Sequence, residues 1–218
     1  MEKSTIVVAR KLANYIQHHS DLLLINPNEC PYSEHIGALF TDVILQSGLN
    51  YNTIVAPRVN HVLGSYPNAF SVEKFSTVIE SNGIENVLKW KHVVKIKRMQ
   101  LLLEFCKKNN LNMSYEVKNF LLVKNNQKEF LKINGIGNKT LDYLLKLLNT
   151  ETVAVDRHIF SFVEKAGIES KDYTFVKMIV EYAADIMDIS RRTIDYSIWS
   201  YMSNLSQSKQ LVFDFKEN

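Results

Sequence analysis

The sequence predicts an all-α protein, and three observations predict it. The four prolines (Pro27, Pro31, Pro57 and Pro67) all precede residue 68, and only 7 glycines interrupt a chain of 218 residues. Leu, Lys and Glu, which lose little rotamer freedom in a helix, are abundant. Apolar residues recur at helical spacing, and strand-like alternation is confined to Val153–Val155.

The elements follow from these patterns. Ser71 can N-cap a helix whose Val72, Phe75, Val78 and Ile79 form one apolar face and which Gly83 stops. Leu141, Leu144, Leu145 and Leu148 repeat the pattern, as do Ile159, Phe162, Val163 and Ala166 ahead of Gly167. Roughly ten helices with short connections result. There is no internal repeat or low-complexity segment. Ile25–Tyr32, with two prolines, reads either as a crossing between two lobes or as a surface loop.

Composition narrows the function classes. Hydrophobic residues make up 46% and charged residues 22%, too apolar for disorder. The 26 Lys and Arg against 23 Asp and Glu give a net charge of +3, which permits a nucleic-acid partner without demanding one. Two cysteines, Cys30 and Cys106, cannot build a four-Cys metal site and suit a reducing interior. The six histidines have no metal-ligand spacing. No uncharged apolar run approaches the roughly 20 residues of a membrane span. Lys3, Arg10 and Lys11 interrupt the apolar residues of the N-terminus, so it does not read as a signal peptide.

The most informative segment is Phe130–Lys146, FLKINGIGNKTLDYLLK. A helix ends near Leu131, Gly135-Ile136-Gly137 makes a tight turn, and an amphipathic helix opens at about Asn138. Glycines allow another chain to approach the backbone closely, and the new helix N-terminus offers amide donors and the positive end of a dipole. Gly135, Gly137, Asn138 and Thr140 thereby make a phosphate seat, although a plain helix–helix corner uses the same turn. Lys139 lies in the first turn of that helix. Seventeen residues later, Asp156 stands in VAVDRHIF, directly before an apolar-periodic helix. Asp156 is a good N-cap and Lys139 an ordinary surface residue on the bland reading; on the other they are an amine nucleophile and its carboxylate partner.

The run INGIGNKTLDYLLKLLNTETVAVDRHIF resembles the helix-hairpin-helix, Gly-Pro-rich loop, catalytic-Asp superfamily of base-excision DNA glycosylases. Gly135, Gly137 and Lys139 match the hairpin glycines and the catalytic lysine of that family, and Asp156 matches its catalytic aspartate. The resemblance extends from about Phe40 to Tyr201 and is strongest over residues 130–160. Asn134 stands where the family's hairpin has proline.

The resemblance implies a two-lobed helical glycosylase fold. One lobe spans residues 40–150, with the hairpin at about 125–149; the other combines 1–39 with 151–218. Lys139 and Asp156 are expected to face each other across the cleft between them. Family members with both residues resemble bifunctional glycosylase/AP lyases, whereas those with the aspartate alone release the base by water attack. Many members carry four C-terminal cysteines around an iron–sulfur cluster. No cysteine follows Cys106 here, which implies no cluster and points to enzymes acting on oxidised purines, 8-oxoguanine first. The partner implied is damaged double-stranded DNA, bound by a monomer in the cytoplasm of a prokaryote or the nucleus of a eukaryote.

The chemistry suits both side chains. A free lysine with a pKa near 10.4 is neutral about once in 2,500 molecules at pH 7. Lowering that value by about three units, through desolvation and nearby cations, leaves roughly a quarter neutral. The neutral amine can then attack C1′ of a nucleotide flipped out of the duplex, with a carboxylate stabilising the oxocarbenium-like sugar.

Further candidates complete the reading. Lys89–Arg98 contains five Lys or Arg and no acid, and Lys91, Lys95 and Arg98 would share one helical stripe facing phosphates or solvent. By the family pattern, the backbone carbonyls of Leu131, Ile133 and Ile136 could hold a cation, and no other cofactor is required. Gln46, in the run Gln46–Asn50, falls where family members fill the gap left by the flipped base. Trp199, Tyr201, Phe213 and Phe215 could stack on a base or belong to the core. The rival reading is a non-catalytic helix-hairpin-helix module binding duplex DNA, or a monofunctional glycosylase.

Overall fold

No strand forms among the described residues, which are 2–214 for the backbone and 4–205 for the side chains of this computed structural model. Twelve α-helices do form there: α1 (Glu2–Gln17), α2 (Ile36–Leu45), α3 (Ala56–Ser65), α4 (Val72–Asn82), α5 (Ile84–Leu88), α6 (Val93–Lys108), α7 (Ser114–Leu121), α8 (Lys124–Phe130), α9 (Asn138–Leu147), α10 (Arg157–Lys165), α11 (Tyr173–Ile186) and α12 (Arg191–Asp214). A short π-helical turn, Tyr51–Val55, leads into α3. The excess over ten lies in short pieces such as α5 and α8, of 5 and 7 residues, too brief to display a period.

The chain divides into two compact units, residues 29–150 and residues 1–28 with 151–218. The first boundary falls at residue 29 rather than 40. The reason is local: the hydroxyl of Tyr32 donates to Asp42 Oδ2 at 2.6 Å, and His35 N-caps α2 through a 3.1 Å bond from the Ala38 amide. Residues 29–39 are thereby tied to α2.

The 29–150 unit is built around α2. Its sequence IGALFTDVIL contains one ionisable residue, and all its residues are buried, as expected of a helix apolar on every side. Helices α3, α4, α6 and α9 pack on it. Phe40, Phe75 and Phe130 are fully buried in this core, and Phe130 meets Phe105 edge-to-face at 5.5 Å. Ser71 caps α4 through a 3.2 Å bond from the Lys74 amide, and Gly83 ends that helix at φ 78°. Removing such a cap costs about 1 kcal/mol.

In the other unit, α1 packs on α11, and α10 and α11 pack on α12 around Leu12, Phe162, Val180 and Ile194. Val153, Ala154 and Val155 are all buried but pair with no strand. The buried carboxylate of Asp195 accepts the Ala154 amide at 2.7 Å, supplying the partner a ladder would otherwise give. The extended run therefore enters α10 with its backbone already fixed.

Candidate active site

The hairpin lies wholly within the 29–150 unit. Helix α8 ends at buried Phe130 and is capped by Leu131. The Ile133 amide donates to Phe130 O at 3.1 Å and the Ile136 amide to Ile133 O at 3.0 Å, closing two successive turns. Gly135, at φ 84°, supplies the left-handed residue inside the second turn. Gly137 is the extended N-cap of α9 and has no side chain to satisfy the first amides, the arrangement in which a helix N-terminus takes an external anion. Asn138 is exposed there. Thr140, expected at the same seat, is instead 7% exposed and sends its amide to Gly137 O at 2.9 Å, because the third position of the helix already turns inward. The carbonyls of Leu131, Ile133 and Ile136 sit on this turn. Of these, Ile133 O accepts the Ile136 amide.

Lys139 is the second residue of α9 and is half-buried. The basic run does not form the stripe expected beside it. Lys89, at φ 47°, ends α5 in a left-handed turn, and α6 starts only at Val93 after its N-cap His92. Lys91 is therefore exposed ahead of the helix rather than on it. Arg98 does reach the hairpin: its guanidinium lies against Gly135, where a Cβ would collide with it. Lys95 turns to α2 and donates from Nζ to Ile44 O at 2.7 Å and Ser47 O at 2.8 Å. Burial, with the charges of Arg98 and Lys139, pulls its pKa down to about 8.

Those two carbonyls bracket Gln46. Its backbone amide closes α2 on Asp42 O at 2.9 Å, while its buried Nε2 has no hydrogen-bond partner among the described residues. Arg98 Nε is in the same condition. Three pieces of chain meet through α6: the end of α2 with Gln46, the helix itself with Lys95 and Arg98, and the hairpin before Lys139.

One turn along α9 from Lys139 is a cluster that the sequence did not reveal. The Tyr143 hydroxyl donates to Asp42 Oδ1 at 3.0 Å, Tyr32 donates to Oδ2 at 2.6 Å, and the Tyr32 and Tyr51 hydroxyls share a 3.2 Å hydrogen bond. Burial pushes the Asp42 carboxyl up to about 6, against the opposing pull of the Tyr32 and Tyr143 hydrogen bonds and the Lys146 charge. Burial and the Asp42 charge push both phenols up as well. The one available signal was Asp42 itself, the single acid in an otherwise apolar helix.

Asp156, in the other unit, N-caps α10. Its Oδ1 accepts the His158 amide at 2.8 Å and the Ile159 amide at 3.1 Å. Both bonds fall on one oxygen, so the cap orients the carboxylate and leaves Oδ2 to other work. Of the aromatic candidates in this unit, Tyr201 packs edge-on to His19 at 4.9 Å and Phe162 at 6.1 Å, which is a core role. Trp199 lies 5.9 Å from the ring of Tyr196. The Phe213 side chain and Phe215 lie outside the described residues. Among the described residues no cluster of His, Cys, Asp or Glu could hold a metal, and no helix is long and apolar enough to cross a membrane.

Comparison with known proteins bears on this arrangement. The crystal structure of the H. pylori 3-methyladenine DNA glycosylase MagIII, bound to 1,N6-ethenoadenine, matches with a TM-score of 0.50 over 94% of this chain and 98% of that one, at 18% identity. The chain has the helix-hairpin-helix DNA glycosylase fold. Residues 110–203, which hold both the hairpin and Asp156, match a family described as a domain of unknown function (DUF8548). No curated protein sequence matches the chain at a significant level.

Proposed function

We propose that the protein is a base-excision DNA glycosylase with AP lyase activity. The observation that carries this reading is the placement of Lys139 directly after the Gly135-Ile136-Gly137 turn, in a neighbourhood of fixed cations. The hairpin amides at α9 would hold a phosphate of duplex DNA, with Gly135, Gly137 and Asn138 in contact and a hard cation on the carbonyls as a further support. A damaged nucleotide must then leave the stack, which costs a few kcal/mol and least where pairing is already weakened.

In the reaction, the neutral Nζ of Lys139 forms a bond to C1′ as the C1′–N bond breaks, and the departing base keeps that electron pair and takes up a proton. Asp156 stabilises the positive charge that develops on the sugar, through the oxygen not used by the α10 cap. Opening of the sugar ring gives a protonated Schiff base. Loss of a C2′ proton then expels the 3′ phosphate by β-elimination.

The substrate we propose is an oxidised purine, 8-oxoguanine first, because the chain lacks the cysteines of the cluster-bearing branches. A second reading is a monofunctional glycosylase acting on alkylated purines, and the likeness to a 3-methyladenine DNA glycosylase favours it. The deciding experiment is a panel of duplexes, each with one 8-oxoguanine, 1,N6-ethenoadenine or abasic site, treated with and without borohydride. A trapped adduct and a nicked strand are expected on 8-oxoguanine and on the abasic site. Base release with no nick and no adduct establishes the second reading, and binding with no release leaves only a DNA-binding module.

A further inference from the structure

We infer that Asn149 is a positioning residue for base release: its side chain clasps together the two places where the chain crosses between units, and so fixes the joint between the unit bearing Lys139 and the unit bearing Asp156. The inference rests on the reading of those two residues as the reacting pair.

The chain passes between the units twice, at 28–29 and at 150–151. The second crossing leaves directly from the end of α9. There the Thr150 amide donates to Leu145 O at 3.0 Å and the Asn149 amide to Lys146 O at 3.0 Å, the pattern of a Schellman stop. Asn149 holds the left-handed position of that stop, at φ 56°. Glycine is the usual residue there and carries no Cβ penalty, so the backbone gives no reason for an asparagine. The side chain gives one. Its Oδ1 accepts the amide of Cys30, the second residue after the first crossing, at 3.2 Å. Asn149 O also accepts Lys118 Nζ at 3.3 Å, which seats the clasp on α7.

The far ends of both crossings are held by a single turn of α12. Glu151 Oε2 accepts the amides of Arg191 at 2.9 Å and Arg192 at 3.5 Å, and Arg192 Nη2 donates to Asn28 O at 2.9 Å. Each crossing is therefore fixed on both sides, with one residue between the anchors: Glu29 in the first and Thr150 in the second. The Thr150 side chain adds no tether, because its buried hydroxyl has no hydrogen-bond partner among the described residues. Two crossings clasped side by side act as one broad joint, whereas two separate ones are two flexible tethers. Past Glu151 the chain is pinned again at Ala154, by the Asp195 carboxylate, and reaches the Asp156 cap. Its course is thus decided where it starts, and loss of the Asn149 side-chain bond frees one crossing from the other while leaving α9 intact.

The test compares Asn149→Gly with Asn149→Asp in the full chain. Gly suits the left-handed backbone and removes only the acceptor; Asp keeps the acceptor and tolerates the same φ. Both should fold, with urea midpoints near wild type. On a lesion duplex, single-turnover base release should fall by about one to two orders of magnitude in Gly, the scale of an ångström-sized misplacement. It should stay near wild type in Asp. Borohydride trapping on a preformed abasic duplex should be unchanged in both, because that step uses Lys139 and no departing base. Damage to α9 itself would instead depress the two reactions together, since Lys139 stands on that helix. A second readout needs no DNA. Spin labels at Glu104→Cys and Glu164→Cys, exposed and one in each unit, report the distance between units in a Cys30→Ser, Cys106→Ala background. The distance distribution should broaden in Gly and not in Asp.

Undiminished base release in Gly overturns the inference. So does an equal loss of release and trapping, which would make Asn149 a helix stop and nothing more. If wild type releases no base from any lesion, the glycosylase reading fails. A distribution broadened in Gly alone then keeps the clasp as a joint without its catalytic meaning, and an unchanged one removes both.

Discussion

Tyr143 donates its hydroxyl to Asp42 Oδ1 at 3.0 Å, four residues beyond Lys139 on the same face of α9. The bond ties the helix that carries the proposed nucleophile to the most deeply buried helix of its unit. Asp42 is 0% exposed, and its carboxyl is pushed from the ordinary 3.8 up to about 6. A folded-state value above the unfolded one means that the folded protein binds the proton more tightly. The resulting stability is present below about pH 4 and is lost as pH rises through about 6, some 3 kcal/mol in all. Asp42→Asn keeps one acceptor and one donor for the two phenols and has no proton to lose. Its stability relative to wild type, measured by urea unfolding at pH 4, 5, 6 and 7, should rise across that interval. A constant difference would mean that the carboxyl titrates normally.

Lys139→Gln tests the nucleophile. It should bind a lesion duplex with an affinity near wild type and give no borohydride adduct. An undiminished adduct in this variant would falsify the assignment and send the search to another amine.

Asp156 admits a sharper separation, because its two oxygens do different things. Asp156→Asn retains an Oδ1 for the His158 and Ile159 amides, so the melting temperature should change little. Base release should fall by about two to three orders of magnitude, the usual scale for losing electrostatic stabilisation at a dry site. Asp156→Ala should show the same catalytic loss and, in addition, about 1 kcal/mol of destabilisation. Full activity in the Asn variant with a lowered melting point in Ala would reduce Asp156 to a helix cap.

Lys91, like Lys89, is exposed and lies outside α6. If it touches a phosphate, Lys91→Ala should reduce the slope of log K against log salt by about 0.9, equally on damaged and undamaged duplexes. Cleavage at saturating enzyme should be unchanged. Identical salt slopes would leave DNA binding to the hairpin amides.

Gln46 carries a buried Nε2 with no partner among the described residues. Truncating an unsatisfied donor removes a desolvation penalty of about 1 kcal/mol, so Gln46→Ala should be at least as stable as wild type. If the donor is kept for DNA at the flipped site, excision from duplex should drop while cleavage of a single-stranded abasic substrate does not. Equal effects on both substrates would remove Gln46 from the gap-filling role.

What the sequence made legible was whatever is local. The hairpin glycines, the opening of α9 at Asn138 and the Asp156 cap are each specified within a few residues, and each appears where expected. The basic run departs from the expected stripe because the helical period was begun at Lys91, whereas the left-handed Lys89 ends α5 and α6 starts only at Val93. The Asp42 cluster was out of reach for a different reason. Tyr32, Asp42, Tyr51 and Tyr143 come from three helices and a loop, and only packing brings their hydroxyls together. Lys95 looked like one more surface cation, because the carbonyls that hold it belong to a helix some fifty residues away.

Arg98 resting on Gly135 sets a rule for sequence drift. Position 135 excludes a side chain twice over, once by its positive φ and once because the guanidinium already fills the space a Cβ would take. Gly135→Ala should therefore harm the wild type more than it harms an Arg98→Ala background, where only the backbone strain remains. Two positions far apart along the chain are bound to change together. A lineage that abandons the arginine loses one of its two reasons to keep the glycine, while one that keeps the arginine has no freedom there at all.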